Sequence, residues 1–202
     1  MKCLISILSC LSFLSIMAQH SSLMVLDSIS LMKAKTYTDL DSALKEPDKV
    51  YKLVLRKKKY KAFPKEILSL KNLQYLDLSK NNIKEIPEEI GELSLLQYLS
   101  CSKCQLTKIP KSIGKLQHLY YLNLNQNDID SIPDEIGQLK KLQVLDLWDN
   151  NLSYFPPTMS HLENLKKMDV RSILLNEQQQ NYIQSLLPNT KIYFSPPCKC
   201  SW

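Results

Sequence analysis

Glycine is scarce in this chain, at 3 of 202 residues. That excludes a collagen-like repeat and leaves too few glycines to build a phosphate-cradling loop. Histidine is as rare, at positions His20, His118 and His161. His118 and His161 fall at different offsets of the apolar pattern, with no nucleophile or carboxylate in register, so no catalytic site can be assembled. Six cysteines are far below the density of a disulfide scaffold. No apolar run reaches the ~20 residues that a membrane-spanning helix needs. A formal net charge of +6 is too modest by itself to indicate nucleic acid. The 44% of hydrophobic residues excludes a disordered chain and suffices for the core of one ordinary domain.

The N-terminus has the anatomy of a secretory signal peptide. Lys2 supplies a positive charge, Cys3 to Met17 an apolar run, and small Ala18 precedes polar Gln19 and His20. We expect residues 1–18 to be removed and the remainder to be secreted, periplasmic or held at the cell surface. An uncleaved anchor and lipid attachment at Cys10 are the alternatives, and cleavage at Cys10 would leave half the apolar run behind.

An internal repeat sets the expected architecture. Leu73, Leu76, Leu78, Asn81, Ile83, Ile86 and Pro87 recur 23 residues on as Leu96, Leu99, Cys101, Cys104, Leu106, Ile109 and Pro110. The next copies carry Leu119, Leu122, Leu124, Asn127, Ile129, Ile132 and Pro133, then Leu142, Leu145, Leu147, Asn150, Leu152, Phe155 and Pro156. Val50, Leu53, Leu55, Tyr60, Phe63 and Pro64 form a degraded first copy, and Leu165, Met168, Val170 and Leu175 begin a degraded sixth. One copy places about seven apolar side chains inward at roughly 1.5–3 kcal/mol each. Ordering its backbone costs about 1–2 kcal/mol per residue. A lone copy therefore cannot fold, whereas stacked copies share one core.

This pattern resembles the leucine-rich repeat family over residues 50 to about 194. The Ile86-Pro87-Glu88-Glu89-Ile90-Gly91-Glu92-Leu93 half is similar to the Ras-group class, and with the leader it suggests an exported, bacterial-type version. The resemblance implies an α/β solenoid arc with a parallel concave sheet and helical end caps, used for protein recognition. The division expected is a signal peptide (1–18), a lead-in and N-terminal cap helix (19–49), six repeats (50–175), a C-terminal cap helix and strand (176–194) and a flexible tail (195–202). Within it, 19–36 shows no clear period and reads as a loose lead-in. Asp39 before Leu40, Ala43 and Leu44 reads as a short helix stopped near Pro47. Asn176 with Gln179 is a capping-box pattern, Ile183, Leu186 and Leu187 share a helical face, and Lys191–Phe194 reads as a last strand. Asn81, Asn127 and Asn150 are expected to satisfy backbone groups of adjacent coils. Cys104 replaces Asn in one copy.

Cys101 and Cys104 form a CxxC, which suggests redox or zinc chemistry. Both fall on inward columns, however, so two buried structural thiols are expected. Cys198 and Cys200 could complete a zinc set or join each other, but nothing brings the two pairs together. No metal and no cofactor is expected. Asn151-Leu152-Ser153 is a glycosylation-type triplet. Arg56 to Lys61, extended by Lys65, is a basic run. It is either a solvated edge or an adhesive surface for polysaccharide or membrane.

Strand residues alternate in and out, so the concave face can be written as columns. The first is Lys52, Tyr75, Tyr98, Tyr121, Val144, Lys167. The second is Val54, Asp77, Ser100, Asn123, Asp146, Asp169. The third is Arg56, Ser79, Ser102, Asn125, Trp148, Arg171. Stacked tyrosines and a tryptophan are the chemistry of interaction hot spots, although tyrosine also pairs well across strands. The expected function is non-catalytic recognition of a protein or peptide through Tyr75, Asp77, Tyr98, Tyr121, Asn123, Asp146, Trp148 and Asp169. Nucleic acid is not expected, and membrane contact is not required. Asp77, Asp146 and Asp169 would make the central groove acidic against a basic end at Lys52, Arg56 and Lys57, giving a ligand its direction.

Overall fold

The computed structural model describes residues 24–197. The expected signal peptide and the Cys198–Cys200 pair lie outside the described residues. Eight strands lie side by side in sequence order: β1 (Thr36–Tyr37), β2 (Lys52–Val54), β3 (Tyr75–Asp77), β4 (Tyr98–Ser100), β5 (Tyr121–Asn123), β6 (Val144–Asp146), β7 (Lys167–Val170) and β8 (Lys191–Phe194). All pair in parallel, and Leu53, Leu76, Leu99, Leu122, Leu145, Met168 and Ile192 stand in one register. The sheet stays open, so the architecture is a leucine-rich-repeat solenoid arc with the strands on its concave side.

Parallel neighbours need a long crossover, and here each crossover is the back of one coil. Five 3-10 turns line that back, at Lys65–Ser69, Glu88–Glu92, Lys111–Lys115, Asp134–Gln138 and Pro157–His161. A proline precedes each one (Pro64, Pro87, Pro110, Pro133, Pro156), with φ between −66° and −73°. Its fixed φ and missing N–H suit the start of a turn. Successive turns pack closely: a Cβ on Gly114 would stand 2.6 Å from the Glu135 carbonyl oxygen. Glycine is needed there because of this close approach.

The inward columns fill one continuous core, with Leu76, Leu99 and Leu122 fully buried and Leu145 1% exposed. Asn127 shows how the coils are tied together. Its Nδ2 donates to Cys101 and Leu124 carbonyls at 2.9 and 2.8 Å, and its Oδ1 accepts from Cys104 and Leu106 N–H at 2.9 and 3.0 Å. Asn81 and Asn150 bridge their own coils in the same way. Where Cys104 stands in this column, its thiol donates to the Leu78 carbonyl at 3.2 Å. One position before the column, Lys57, Lys80, Lys103, Gln126, Asp149 and Ser172 all have φ between 55° and 62°. The backbone therefore turns left-handed at the same point of every coil, without glycine.

Both ends carry helices. Helix α1 (Ser28–Lys33) has Asp27 as N-cap, and α2 (Leu40–Leu44) has Asp39 accepting from Ser42 N–H. Helix α3 (Glu177–Leu186) starts with a reciprocal Asn176–Gln179 box at 2.9 Å each way and buries Ile183. The loose lead-in expected for 19–36 is corrected: 28–33 is helical and Thr36–Tyr37 adds a strand to the sheet. Asp27 nucleates the helix by accepting from Ile29 and Ser30 N–H. At the other end, Ser195 is not loose either. Its Oγ accepts from Ser172 N–H at 2.7 Å, and its carbonyl accepts from Gln180 Nε2 at 3.1 Å.

Candidate binding face

The concave face is built by the sheet register. Tyr75, Tyr98 and Tyr121 are direct partners across β3, β4 and β5. Their rings stack with centroids 4.0 and 4.4 Å apart and planes within 6°. The stack uses the ring faces, so edges and hydroxyls are what the half-buried tyrosines offer to the groove. Lys52 Nζ caps the outer face of Tyr75, 5.0 Å from its centroid. Burial raises all three phenol pKa values above the ordinary tyrosine range, so they stay neutral donors. Trp148 lies one strand further on, just past the end of β6, half-buried. Its Nε1 donates to Ser172 Oγ at 3.1 Å, which leaves the apolar ring surface unspent.

The second column behaves differently from the sequence expectation. Asp77 and Asp169 are 4% and 7% exposed, and Ser79 in the third column 1%, so these residues do not stand out into water. Each acid instead closes a local turn. Asp77 accepts from Ser79 N–H, Asp146 from Trp148 N–H, Asp169 from Arg171 N–H, and Asn123 from Asn125 N–H, at 2.9–3.2 Å. These donors lie beyond the short strands and would otherwise be orphans. Alternation along a strand correctly gave the side but not the depth, because neighbouring polar side chains pack against one another.

The acidic centre is corrected as well. Arg56 Nε lies 3.4 Å from Asp77 Oδ2, and Arg171 binds Asp169 through two nitrogens at 2.7 and 3.0 Å. Burial pushes the Asp169 carboxyl up, but its hydrogen bonds from Arg171 outweigh that and hold it below the ordinary value. Asp146 is the acid without a cation within 4.0 Å among the described residues. Burial raises its pKa, opposed by the Asn125 Nδ2 hydrogen bond at 2.7 Å.

Tyr193 was missed by the sequence reading. It stands beside Asp169 in β8, with Lys167, Lys191 and Arg171 at 5.0, 5.1 and 5.7 Å from its ring centroid. The C-terminal end of the face is therefore cationic, like the N-terminal end, and the expected charge direction along the groove is not present. The 24-residue step from Asp169 to Tyr193 breaks the 23-residue period, which is why the column hid it.

Cys101 and Cys104 are both fully buried free thiols. The Cys104 thiol, together with burial, holds the Cys101 thiol well above its ordinary value, while the Cys101 thiol holds Cys104 below its own. The burial of both closes them to a redox partner, which needs a partly exposed thiol. Among the described residues, no group of three or more His, Cys, Asp or Glu side chains could hold a metal ion, and no helix is long and apolar enough to cross a membrane. The basic run, by contrast, is larger than the sequence suggested. Exposed Lys57, Lys80 and Lys103 occupy the same left-handed position of three successive coils, at one flank of the sheet.

This open parallel sheet, its asparagine ties and its turn-backed coils define a repeat solenoid with one wet strand face. The leucine-rich repeat region family profile matches residues 6–119 and 110–187. The chain belongs to the leucine-rich repeat family. An LRR protein of Leptospira interrogans is 31% identical, with TM-score 0.60, covering 82% of this chain and 49% of that one. Internalin C2 of Listeria monocytogenes is 25% identical, with TM-score 0.64, covering 81% and 69%. The ectodomain of the Arabidopsis thaliana receptor kinase GASSHO1/SCHENGEN3, solved in complex with Casparian strip integrity factor 2, is 30% identical with TM-score 0.53, covering 69% and 21%. This chain thus spans about half the length of the Leptospira protein. No curated protein matches it in sequence.

Proposed function

We propose that this chain is a non-catalytic recognition module whose partner, a protein or peptide, lies along the concave sheet. One observation carries this: three stacked, neutral tyrosines run toward Trp148 on an open, half-buried strand face. Tyr75, Tyr98 and Tyr121 offer edges and hydroxyls, Trp148 offers apolar ring, and Asn123 and Asp146 offer polar atoms between them. Asp77 and Asp169 serve the same face from beneath, by holding Arg56 and Arg171 in place. Aromatic side chains give large contact area at low rotamer cost. Eight strands about 4.8 Å apart make a groove on the order of 30 Å long, which suits an extended segment. The GASSHO1/SCHENGEN3 ectodomain, solved in complex with Casparian strip integrity factor 2, supports a protein or peptide as the kind of partner.

On this reading the protein is an exported, bacterial-type member of the Ras-group-like class, with the leader at 1–18, repeats over 50–175, caps at 19–49 and 176–194, and a tail from 195. The Lys2–Ala18 pattern and the Leptospira and Listeria likenesses support it. The test begins with peptides selected from a displayed random library on the full chain. Their affinity should fall roughly thirty-fold or more on Tyr98→Ala with Trp148→Ala, as loss of a hot-spot pair does. Undiminished binding in that variant sinks the reading.

A second reading has its own support. Lys57, Lys80 and Lys103 form a ladder with rungs about 4.8 Å apart, and none of the three has a carboxylate within 4.0 Å among the described residues. The same slot holds Gln126, Asp149 and Ser172 in later coils, so the backbone does not demand lysine. This flank is a candidate for adhesion to an anionic polysaccharide or membrane. Such binding collapses in high salt, whereas aromatic docking does not.

A further inference from the structure

The residue just before each of strands β2 to β6 forms a rim column: Tyr51, Gln74, Gln97, Tyr120, Gln143. Its two buried glutamines hold a piece of polypeptide. Gln74 Nε2 donates to the Met24 carbonyl at 2.7 Å, and Gln74 Oε1 accepts from Leu26 N–H at 2.8 Å. Gln97 Nε2 donates both to the Leu26 carbonyl at 2.8 Å and to Gln74 Oε1 at 2.7 Å. Two carboxamides thus read the main chain of residues 24–26 as a neighbouring strand would, and Gln74 is fully buried beneath it.

The segment contributes little else. Met24 and Val25 are 60% and 37% exposed, and in the following helix Ile29 and Met32 are 66% and 61% exposed, with Leu31 its one buried side chain. End protection does not explain it, because β1 and α2 already cover the first repeat, while the segment reaches past β2 to rungs beside β3 and β4. Those rungs immediately precede Tyr75 and Tyr98. The backbone holds the rungs in step: Gln97 N–H donates to the Gln74 carbonyl at 2.8 Å, and Tyr120 N–H to the Gln97 carbonyl at 2.9 Å.

We propose that Gln74 and Gln97 are a main-chain clamp for extended peptide, occupied here by the chain's own residues 24–26 and available to a partner peptide that displaces them. This rests on the concave-face reading, whose partner it specifies: an extended segment with at least one free N–H and carbonyls two residues apart, selected by backbone rather than side chain at these rungs. Beyond Gln97, half-buried Tyr120 and Gln143 continue the same rim for a longer segment. The tethered segment competes at high effective concentration, so it sets a threshold for the partner.

The experiment uses the full chain and a labelled synthetic peptide of its own residues 22–30, read by fluorescence anisotropy. Leu26→Pro removes the N–H that Gln74 accepts and so frees the clamp without altering it. The peptide should bind Leu26→Pro at least ten-fold tighter than wild type, and adding Gln74→Leu with Gln97→Leu should abolish that binding. A peptide methylated on the Leu26 nitrogen should not bind, while one with serine for Met24 and Val25 should bind unchanged. On wild type, excess peptide should speed hydrogen exchange at Leu26, a readout that does not depend on any variant folding. Equal binding to wild type and Leu26→Pro, binding that survives loss of both carboxamides, or unaltered exchange at Leu26 would overturn the proposal. Library-selected peptides that need Tyr98 and Trp148 but ignore Gln74 and Gln97 would remove the clamp and leave the concave face standing.

Discussion

On their inner side, strands β3 to β6 carry Leu76, Leu99, Leu122 and Leu145, the same residue four times. One residue earlier, on the outer side, they carry Tyr75, Tyr98, Tyr121 and Val144. The inner uniformity follows from packing, since each leucine fills the same slot against the coils above and below. The outer side is half-exposed and takes what it is given: lysine at either end, valine at one rung, tyrosine at three. Stacking explains part of the tyrosine run, at about 0.5–1.5 kcal/mol per pair beyond burial. It does not explain why the run continues diagonally to Trp148. On the proposed reading, most of the stability comes from the inner side of each strand and recognition belongs to the outer side.

If that division holds, substitutions on the two sides should separate cleanly. The largest difference should appear in thiol labelling. Cys101 and Cys104, on the inner side, should react with a thiol reagent only through unfolding, slower than an exposed thiol by on the order of a thousand-fold or more, followed by peptide mapping. Fast labelling of Cys101 in the folded protein would revive its chemical role. Leu122→Ala should next cost about 2–5 kcal/mol in denaturant unfolding, whereas Tyr121→Ala beside it should cost clearly less. Asn127→Ala should cost about 1–3 kcal/mol for each buried backbone group left unpaired, and more than Cys104→Ala, whose thiol is a single weak donor.

Gly114→Ala should destabilise by about 1–3 kcal/mol through overpacking, because the new Cβ meets Glu135 backbone. Gly91→Ala should be milder, since its nearest neighbour is the flexible Lys115 side chain at 3.0 Å. The smallest effect belongs to Asp169. Its folded carboxyl sits below the ordinary value, so its contribution is complete above the ordinary carboxylate range and is lost as pH falls through the folded value. Asp169→Asn should therefore lower stability at neutral pH, leave it almost unchanged near pH 2, and so flatten the acid limb of the stability curve, measured by melting between about pH 7 and pH 2.

The columns were readable from sequence because a 23-residue period, held over four copies, gives every position a structural address. Leu122, Asn127, Pro133 and Tyr121 all have their places fixed by that period alone. What escaped lies where the period fails or where depth matters. Helix α1 is six residues long, too short to show periodicity, and its one signal is Asp27 ahead of Ser30. Tyr193 falls a residue out of step. Asp77 and Asp169 sit on the expected side of the sheet, but sequence alternation carries no information on how tightly outward side chains crowd. Lys80 and Lys103 follow Lys57 at the same 23-residue spacing, so this ladder is legible across the copies, whereas the run from Arg56 to Lys61 is legible along the chain.

The concave face and the lysine flank are both exposed, and one set of titrations separates them. A library-selected ligand is measured against wild type, against Tyr98→Ala with Trp148→Ala, and against Lys80→Glu with Lys103→Glu, each variant first checked by thermal melting. If recognition belongs to the outer side of the strands, the aromatic variant stays folded, with a melting temperature lowered only by the lost stacking, and loses binding by more than about 2 kcal/mol, while the lysine variant binds as wild type does. Intact binding in the aromatic variant, with loss in the lysine variant, would contradict the account.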